Sequence, residues 1–191
     1  QGVSSAASDV YKRQHLDLSL LDCGTAVLAN QATNYLLGGT VPHRLGNAHP
    51  NIVPYQLFPT AEGHAIIACG NDRQFVALCR VLGLDGLAQD PDYATNPARV
   101  ANRAALVPLL AQATGRMTRA ALIAALDAAG VPVGPVNDVA EGLADPQIAA
   151  RGLRIAPEGI AGLRTPILFS RSTLDTARAA PALGAGDWRW G

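Results

Sequence analysis

The chain has 191 residues, 49% of them hydrophobic and 16% charged. That is enough to bury a core as one large domain or two small ones, and too apolar for a disordered segment. Fifteen Lys and Arg balance fifteen Asp and Glu, and with no basic stripe the expected partners include neither nucleic acid nor an anionic membrane surface.

The first fourteen residues, QGVSSAASDVYKRQ, are Ser/Ala-rich, lack periodicity and lack the apolar stretch of a signal peptide. Residues 1–14 read as a non-native leader and are left out of the fold. The following phrase, HLDLSLLD, alternates apolar and polar residues before breaking into helical spacing. It predicts a short strand, His15–Leu18, feeding a helix Leu20–Leu37, about 27 Å long at ~1.5 Å per residue. Ser19 and Asp22 fit a capping box, and Gly38 fits the stop. The uncharged stretch Cys23–Pro42 has the length of a bilayer span, but Asn30, Gln31, Thr33 and Asn34 interrupt it. A buried or amphipathic helix is expected, with no membrane contact.

The loop GNAHPNIVPYQLF, Gly46 to Phe58, gathers two Asn, a His, two Pro and a Gly ahead of a strand. A plain connection needs only turn residues, whereas a binding site needs a shaped, neutral, hydrogen-bonding surface. Tyr55–Phe58 and His64–Cys69 are strand-like and joined by PTAEG, a hairpin pattern. Asp72 is the expected cap of a helix whose Phe75, Leu78, Cys79 and Leu82 share one face and which ends at Gly83. Asn96 followed by Pro97 reads as a helix cap with proline at the first helical position. That helix is expected to reach Gly115 with a bend near Pro108. Thr118 caps RAALIAALDAAG, which ends at Gly130. Val131–Val136 is extended because Pro132 and Pro135 bias their neighbours away from helix. Asn137 is the expected cap of one more helix, and ADPQIAARG starts another. Two strand-like pieces follow, Leu153–Ala156 and Arg164–Phe169, before an irregular tail, PALGAGDWRWG.

Cys23, Cys69 and Cys79 are odd in number, widely spaced and set among apolar residues. They read as buried, reduced thiols of a cytoplasmic protein, without disulfide or zinc. His15, His43, His49 and His64 show no ligand spacing, so no metal site is expected. Asp17, Asp22, Glu62, Asp72 and Asp138 are the carboxylates nearest the apolar segments. Asp22, Asp72 and Asp138 are explained as helix caps or first-turn residues. No Ser or Cys stands beside a plausible base, so residue chemistry alone assigns no catalytic group.

Five phrases in order, QHLDLSLLD, GNAHPNIVPYQLFPTAEGHAIIACGNDRQFVALCRVLG, DPDYATNPARVANRAAL, AGVPVGPVNDVAEGLADPQIAARG and APALG, resemble the second half of class III coenzyme A transferases. That group includes formyl-CoA and carnitine CoA-transferases, with α-methylacyl-CoA racemase as a relative. The resemblance covers His15 to Gly184.

It implies an α+β chain in which a small inserted α+β domain, 55–136, is flanked by partial segments of a Rossmann-like α/β large domain, 15–54 and 137–191. It further implies an interlocked homodimer and an aspartate nucleophile that lies upstream of RQHLDLSL, outside this chain. Asp17 falls inside the matching phrase and is not that nucleophile. The implied substrates are an acyl-CoA and a carboxylic acid acceptor. Coenzyme A enters as a substrate thioester, and no cofactor is implied.

In the family, the loop before the first small-domain strand approaches the acyl part of the site and in some members is a mobile glycine-rich segment. The matching residues here are Gly46, Asn47, His49, Pro50, Asn51 and Tyr55. Without a run of glycines this loop is expected to be stiffer. The competing reading of the same residues is that Asn47 and Asn51 hydrogen-bond their own turns and His49 is solvated. Arg73, at the start of its helix, is a further cation able to meet a carboxylate. Two alternatives to CoA transfer remain at this point. One is an acyl-CoA racemase or epimerase of the same fold, and the other is a non-catalytic domain that pairs with partner subunits.

Overall fold

The structure, a computed structural model, describes residues 17–184. They divide into two units, the first ending at Ala48 and the second beginning at His49. In the first, Ser19 caps α1 (Leu20–Val27), its hydroxyl accepting from the amides of Leu21 and Asp22 at 3.2 and 3.4 Å. The single helix expected over Leu20–Leu37 is instead two. Ala29 takes a positive φ of 40°, and α2 starts there and runs Ala29–Gly38. Thr25 and Thr33 donate back to the carbonyls of Leu21 and Ala29 at 2.8 and 3.2 Å, an arrangement that bends helices. The stop falls one residue later than expected, on Gly39, whose φ of 69° places it in the left-handed region that lacks a Cβ penalty for glycine. The expected strand His15–Leu18 lies partly outside the described residues. Asp17 and Leu18, which are described, carry no strand pairing.

The second unit is built on an antiparallel sheet of β1 (Tyr55–Pro59), β2 (His64–Ala68) and β3 (Val133–Pro135), with β2 in the middle. The PTAEG turn closes as expected, with Thr60 N–H donating to Gly63 O at 3.1 Å and Gly63 at φ 74°. Register pairs Phe58 with Ala65 and Ile67 with Val133. Phe58, Ala65 and Ile67 are fully buried, as strand alternation requires for one face. That face is covered by α3 (Asp72–Val81), α6 (Arg103–Thr114) and α7 (Arg119–Ala128), which contribute Phe75, Leu78, Cys79, Leu106, Leu110, Leu122 and Leu126 to the same core. Each fully buried Leu or Phe is worth about 1.5–3 kcal/mol, so this unit holds its own hydrophobic stability. By contrast, α1 and α2 bury no residue, so Cys23, expected to be buried, is exposed, while Cys69 and Cys79 are buried as expected.

Several caps differ from expectation by one residue. Asn71, not Asp72, caps α3, accepting from Gln74 N at 2.9 Å. Thr95, not Asn96, caps α5 (Asn96–Ala101). Asp138, not Asn137, caps α8 (Val139–Leu143), in a reciprocal capping box with Glu141. In the first two cases the displaced residue is used at long range, Asp72 by Arg99 and Asn96 by the loop before β1. A short helix, α4 (Asp85–Gln89), was not anticipated.

The helix expected from Asn96 to Gly115 breaks at Asn102, not at Pro108, which sits inside α6. Asn102 leaves helical geometry (φ −101°, ψ 19°) and its amide donates to Asp92 O at 3.0 Å. A tertiary hydrogen bond sets the break. Thr118 caps α7 as expected.

Asp145 caps α9 (Pro146–Ala150), which leads to a two-stranded antiparallel ribbon of β4 (Arg154–Ile155) and β5 (Gly162–Leu163). The strand expected over Arg164–Phe169 does not form. Arg164 turns its guanidinium onto the carbonyls of Gly152, Arg151 and Thr165 at 3.1, 2.8 and 2.6 Å, and Pro166 has no N–H to give a ladder. The tail beyond residue 184 lies outside the described residues. The described chain is thus α+β, with two small antiparallel sheets.

Candidate functional site

The segment His49–Pro54 enters β1, and its main chain is held by side chains from α5 and α6. Asn96 and Arg99 lie three residues apart on α5 and share a side of it, and Arg103 opens α6 just past the break at Asn102. Asn96 accepts from Val53 N–H at 3.1 Å and donates to Asn51 O at 2.8 Å. Arg99 donates Nε–H to Val53 O at 2.6 Å. Arg103 donates Nη2–H to His49 O at 2.7 Å and to Pro50 O at 2.8 Å. Four loop carbonyls, those of His49, Pro50, Asn51 and Val53, therefore receive side-chain hydrogen bonds.

Arg99 is the deepest of the three, with no exposed surface. Its other guanidinium nitrogens donate to Tyr93 O at 2.9 Å and to an Asp72 carboxylate oxygen at 2.8 Å, and the group lies 4.4 Å from the Phe75 ring centroid. A planar fork satisfied on three sides is what makes a buried arginine tolerable. Arg103 is half-buried, and burial lowers its pKa.

The His49 ring has a fixed place. It stacks on Tyr55, with centroids 5.1 Å apart and planes 10° from parallel. His49 N–H donates to Tyr55 O at 2.9 Å, and its Nδ1 accepts from Asn51 N–H at 3.1 Å. A nitrogen that accepts carries no proton in the neutral ring, so the proton belongs to Nε2. The ring is half-buried and Tyr55 is exposed. Of the six residues the sequence singled out, the structure brings together His49, Pro50, Asn51 and Tyr55. Gly46 and Asn47 belong to the first unit, in a turn closed by Ala48 N–H on Leu45 O at 3.1 Å, with Gly46 at φ 61°. Arg73 lines a separate depression of about 220 Å³ with Asn71, Gln74 and Gly130.

The three helix side chains that shape the loop were not recognised as site residues from sequence. The available sign was polar residues at helical spacing, 96, 99 and 103, with two of them set among Ala and Val.

The chemistry this surface offers is neutral hydrogen bonding by an imidazole N–H and a phenol, suited to orienting a carboxylate or thioester oxygen. It offers no nucleophile. Burial pushes the Cys69 thiol up to about 12 and the Cys79 thiol up to about 11, with Arg99 opposing both shifts. Such thiols are inert at neutral pH because the thiolate is the reactive form.

The profile of CoA-transferase family III matches residues 9–187. The chain is 48% identical to the succinate–glutarate CoA-transferase of Agrobacterium fabrum, over 90% of this chain and 44% of that protein. It is 37% identical to the acetyl-CoA:oxalate CoA-transferase of Acetobacter aceti, over 86% of this chain and 44% of that protein. A crystal structure of a CAIB/BAIF family protein from Brucella suis superposes with a TM-score of 0.76 at 54% identity, covering 88% of this chain and 44% of that one. The chain spans less than half the length of these relatives. It belongs to CoA-transferase family III.

Proposed function

We propose that this chain forms the C-terminal half of a subunit that moves coenzyme A from a short acyl-CoA to a dicarboxylic acid. What carries the reading is the chemistry shared by its relatives' names. Proteins 48%, 37% and 33% identical to it are named for transfer involving succinate, glutarate or oxalate, and all three are dicarboxylates.

The covalent steps belong to an aspartate supplied by chain preceding this sequence. Its carboxylate attacks the thioester carbon, the C–S bond breaks, and a mixed anhydride and CoA thiolate result. The thiolate attacks the aspartyl carbonyl, releasing the donor acid and leaving an aspartyl–CoA thioester. The acceptor carboxylate attacks that thioester, forming a second anhydride and freeing the thiolate once more. Attack of the thiolate on the acceptor's carbonyl completes the transfer and restores the aspartate. No proton is gained or lost, so the surrounding residues have to orient the acids and keep water out.

On this reading the loop Gly46, Asn47, His49, Pro50, Asn51 and Tyr55 lines the acyl or acceptor-acid pocket. Support comes from the geometry of His49 and Tyr55, which present two neutral donors from a main chain held at four carbonyls. Residues 55–136 form the small domain, and 15–54 and 137–191 complete a Rossmann-like large domain in an interlocked, cytoplasmic homodimer. The exposed apolar groove of α2, about 700 Å³ and lined by Leu28, Tyr35, Leu36 and Val41, suits such completion.

The test is CoA transfer by the complete subunit from succinyl-CoA to oxalate, glutarate and a monocarboxylate of equal length. Preference for the dicarboxylates, with no adduct on Asp17 or Asp22 after hydroxylamine trapping, is expected. Deuterium wash-in at the α-carbon without CoA exchange would overturn the reading in favour of a racemase.

A further inference from the structure

We infer that Arg103 is a positioning residue for His49, holding the imidazole as an Nε2–H donor toward the acceptor acid. The inference rests on the transferase reading of the loop, but its structural half stands on the contacts alone. One guanidinium nitrogen of Arg103 donates to two successive carbonyls, His49 O at 2.7 Å and Pro50 O at 2.8 Å. Those two carbonyls bracket the peptide that sets the direction of the His49 Cα–Cβ bond. Downstream, Asn51 N–H reaches His49 Nδ1 at 3.1 Å, and that bond forms only if the Pro50–Asn51 peptide keeps its tilt. Upstream, His49 N–H is tied to Tyr55 O at 2.9 Å and the ring is stacked at 5.1 Å on Tyr55. The ring is therefore braced on Tyr55, while its tautomer depends on Asn51, and Asn51 is aimed by the turn that Arg103 clamps.

Asn96 and Arg99 hold the later carbonyls, Asn51 O and Val53 O, so the entry to β1 survives without Arg103. Removing Arg103 frees the His49–Pro50 end alone. Both tautomers of a neutral imidazole then become accessible, and one of the two presents an acceptor, not a donor, at Nε2 to an anionic carboxylate. A positively charged clamp over two carbonyls is also the stronger kind of hydrogen bond, and Lys can replace its charge but not the rigid planar placement of the two N–H bonds on Nη2.

The experiment has two arms. In the first, side-chain 15N spectra of the 191-residue chain report the His49 tautomer in wild type, Arg103→Lys and Arg103→Met, with Ile67 and Leu106 methyl shifts as the fold control. Wild type should show Nε2–H alone, Arg103→Met a tautomer mixture, and Arg103→Lys an intermediate. An Nδ1–H wild type, or an Arg103→Met spectrum identical to wild type, overturns the inference. If Arg103→Met loses its methyl dispersion, the Arg103→Lys spectrum decides alone.

In the second arm, complete subunits carrying the same changes are assayed. Arg103→Met should raise the acceptor-acid KM about tenfold, with kcat nearly unchanged, the mark of lost uniform binding. A tautomer change with unaltered kinetics would leave the positioning role intact while removing the transferase reading of the loop. Altered kinetics with an unaltered tautomer would do the reverse.

Discussion

Replacing Arg99 by Met removes the buried fork that joins the entry to β1, the segment at Tyr93 and the first turn of α3. Three hydrogen bonds are lost, to Val53 O, Tyr93 O and Asp72. Val53 is buried, so its carbonyl loses a donor without gaining water, which costs about 1–3 kcal/mol. Tyr93 is half-buried and regains part of its loss from solvent. The Asp72 side chain is 53% exposed, so its ion pair counts for little once screening is included. The contact with Phe75 is partly replaced, because methionine sulfur also packs well on aromatic rings. Against these losses stands the relief of not burying a guanidinium. The net expectation is a loss of about 2–4 kcal/mol for the second unit, or roughly 5–15 °C in Tm. Urea unfolding followed by circular dichroism measures it directly by linear extrapolation. A loss below about 1 kcal/mol would mean that desolvation cancels the three bonds and that Arg99 does not hold the loop in place.

Two further outcomes follow from burial. Cys69 and Cys79 have folded pKa values pushed from 9.0 up to about 12 and about 11. Stability is therefore full below pH 9.0, and it falls as the unfolded thiols ionise while the folded ones do not, up to those values. Denaturant midpoints should decline across that window, Cys79→Ala should flatten part of the slope, and a midpoint flat up to pH 11 would contradict it. Amide hydrogen exchange should protect β2 and α3 strongly and α1, α2 and 153–169 weakly, because among the described residues the buried hydrophobic ones all lie between Val53 and Val131. Uniform protection in a monodisperse monomer would mean that the first unit is stable without the rest of a subunit.

Local chemistry was legible wherever the sequence decided the structure locally. The PTAEG hairpin, the Ser19 and Thr118 caps and the Phe75, Leu78, Cys79 face each depend on neighbours a few residues apart. What sequence reading missed depends on long-range partners. Asp72 looked like a cap until Arg99, 27 residues away, claimed its carboxylate. Asn96 looked like a cap, but Val53 and Asn51, 43 and 45 residues upstream, take the two ends of its amide. Pro108 looked like the bend, but Asn102 and its bond to Asp92 O placed the break earlier. The polar loop stood out by composition, since no ordinary turn needs that set of residues. Its shape did not, because the groups that hold it, Asn96, Arg99 and Arg103, sit on helices that read as amphipathic scaffolding.

The steady-state kcat/KM of the complete subunit for transfer of CoA from succinyl-CoA to glutarate, compared between wild type and His49→Ala, tests the proposed role of the loop most directly. Removing one donor to a charged group costs about 1.5–3 kcal/mol, so a loss of roughly ten- to one-hundredfold is expected. The melting temperature should stay nearly unchanged, since His49 lies outside the buried core. Equal kcat/KM in the two proteins would contradict the assignment of this loop to the acceptor-acid pocket.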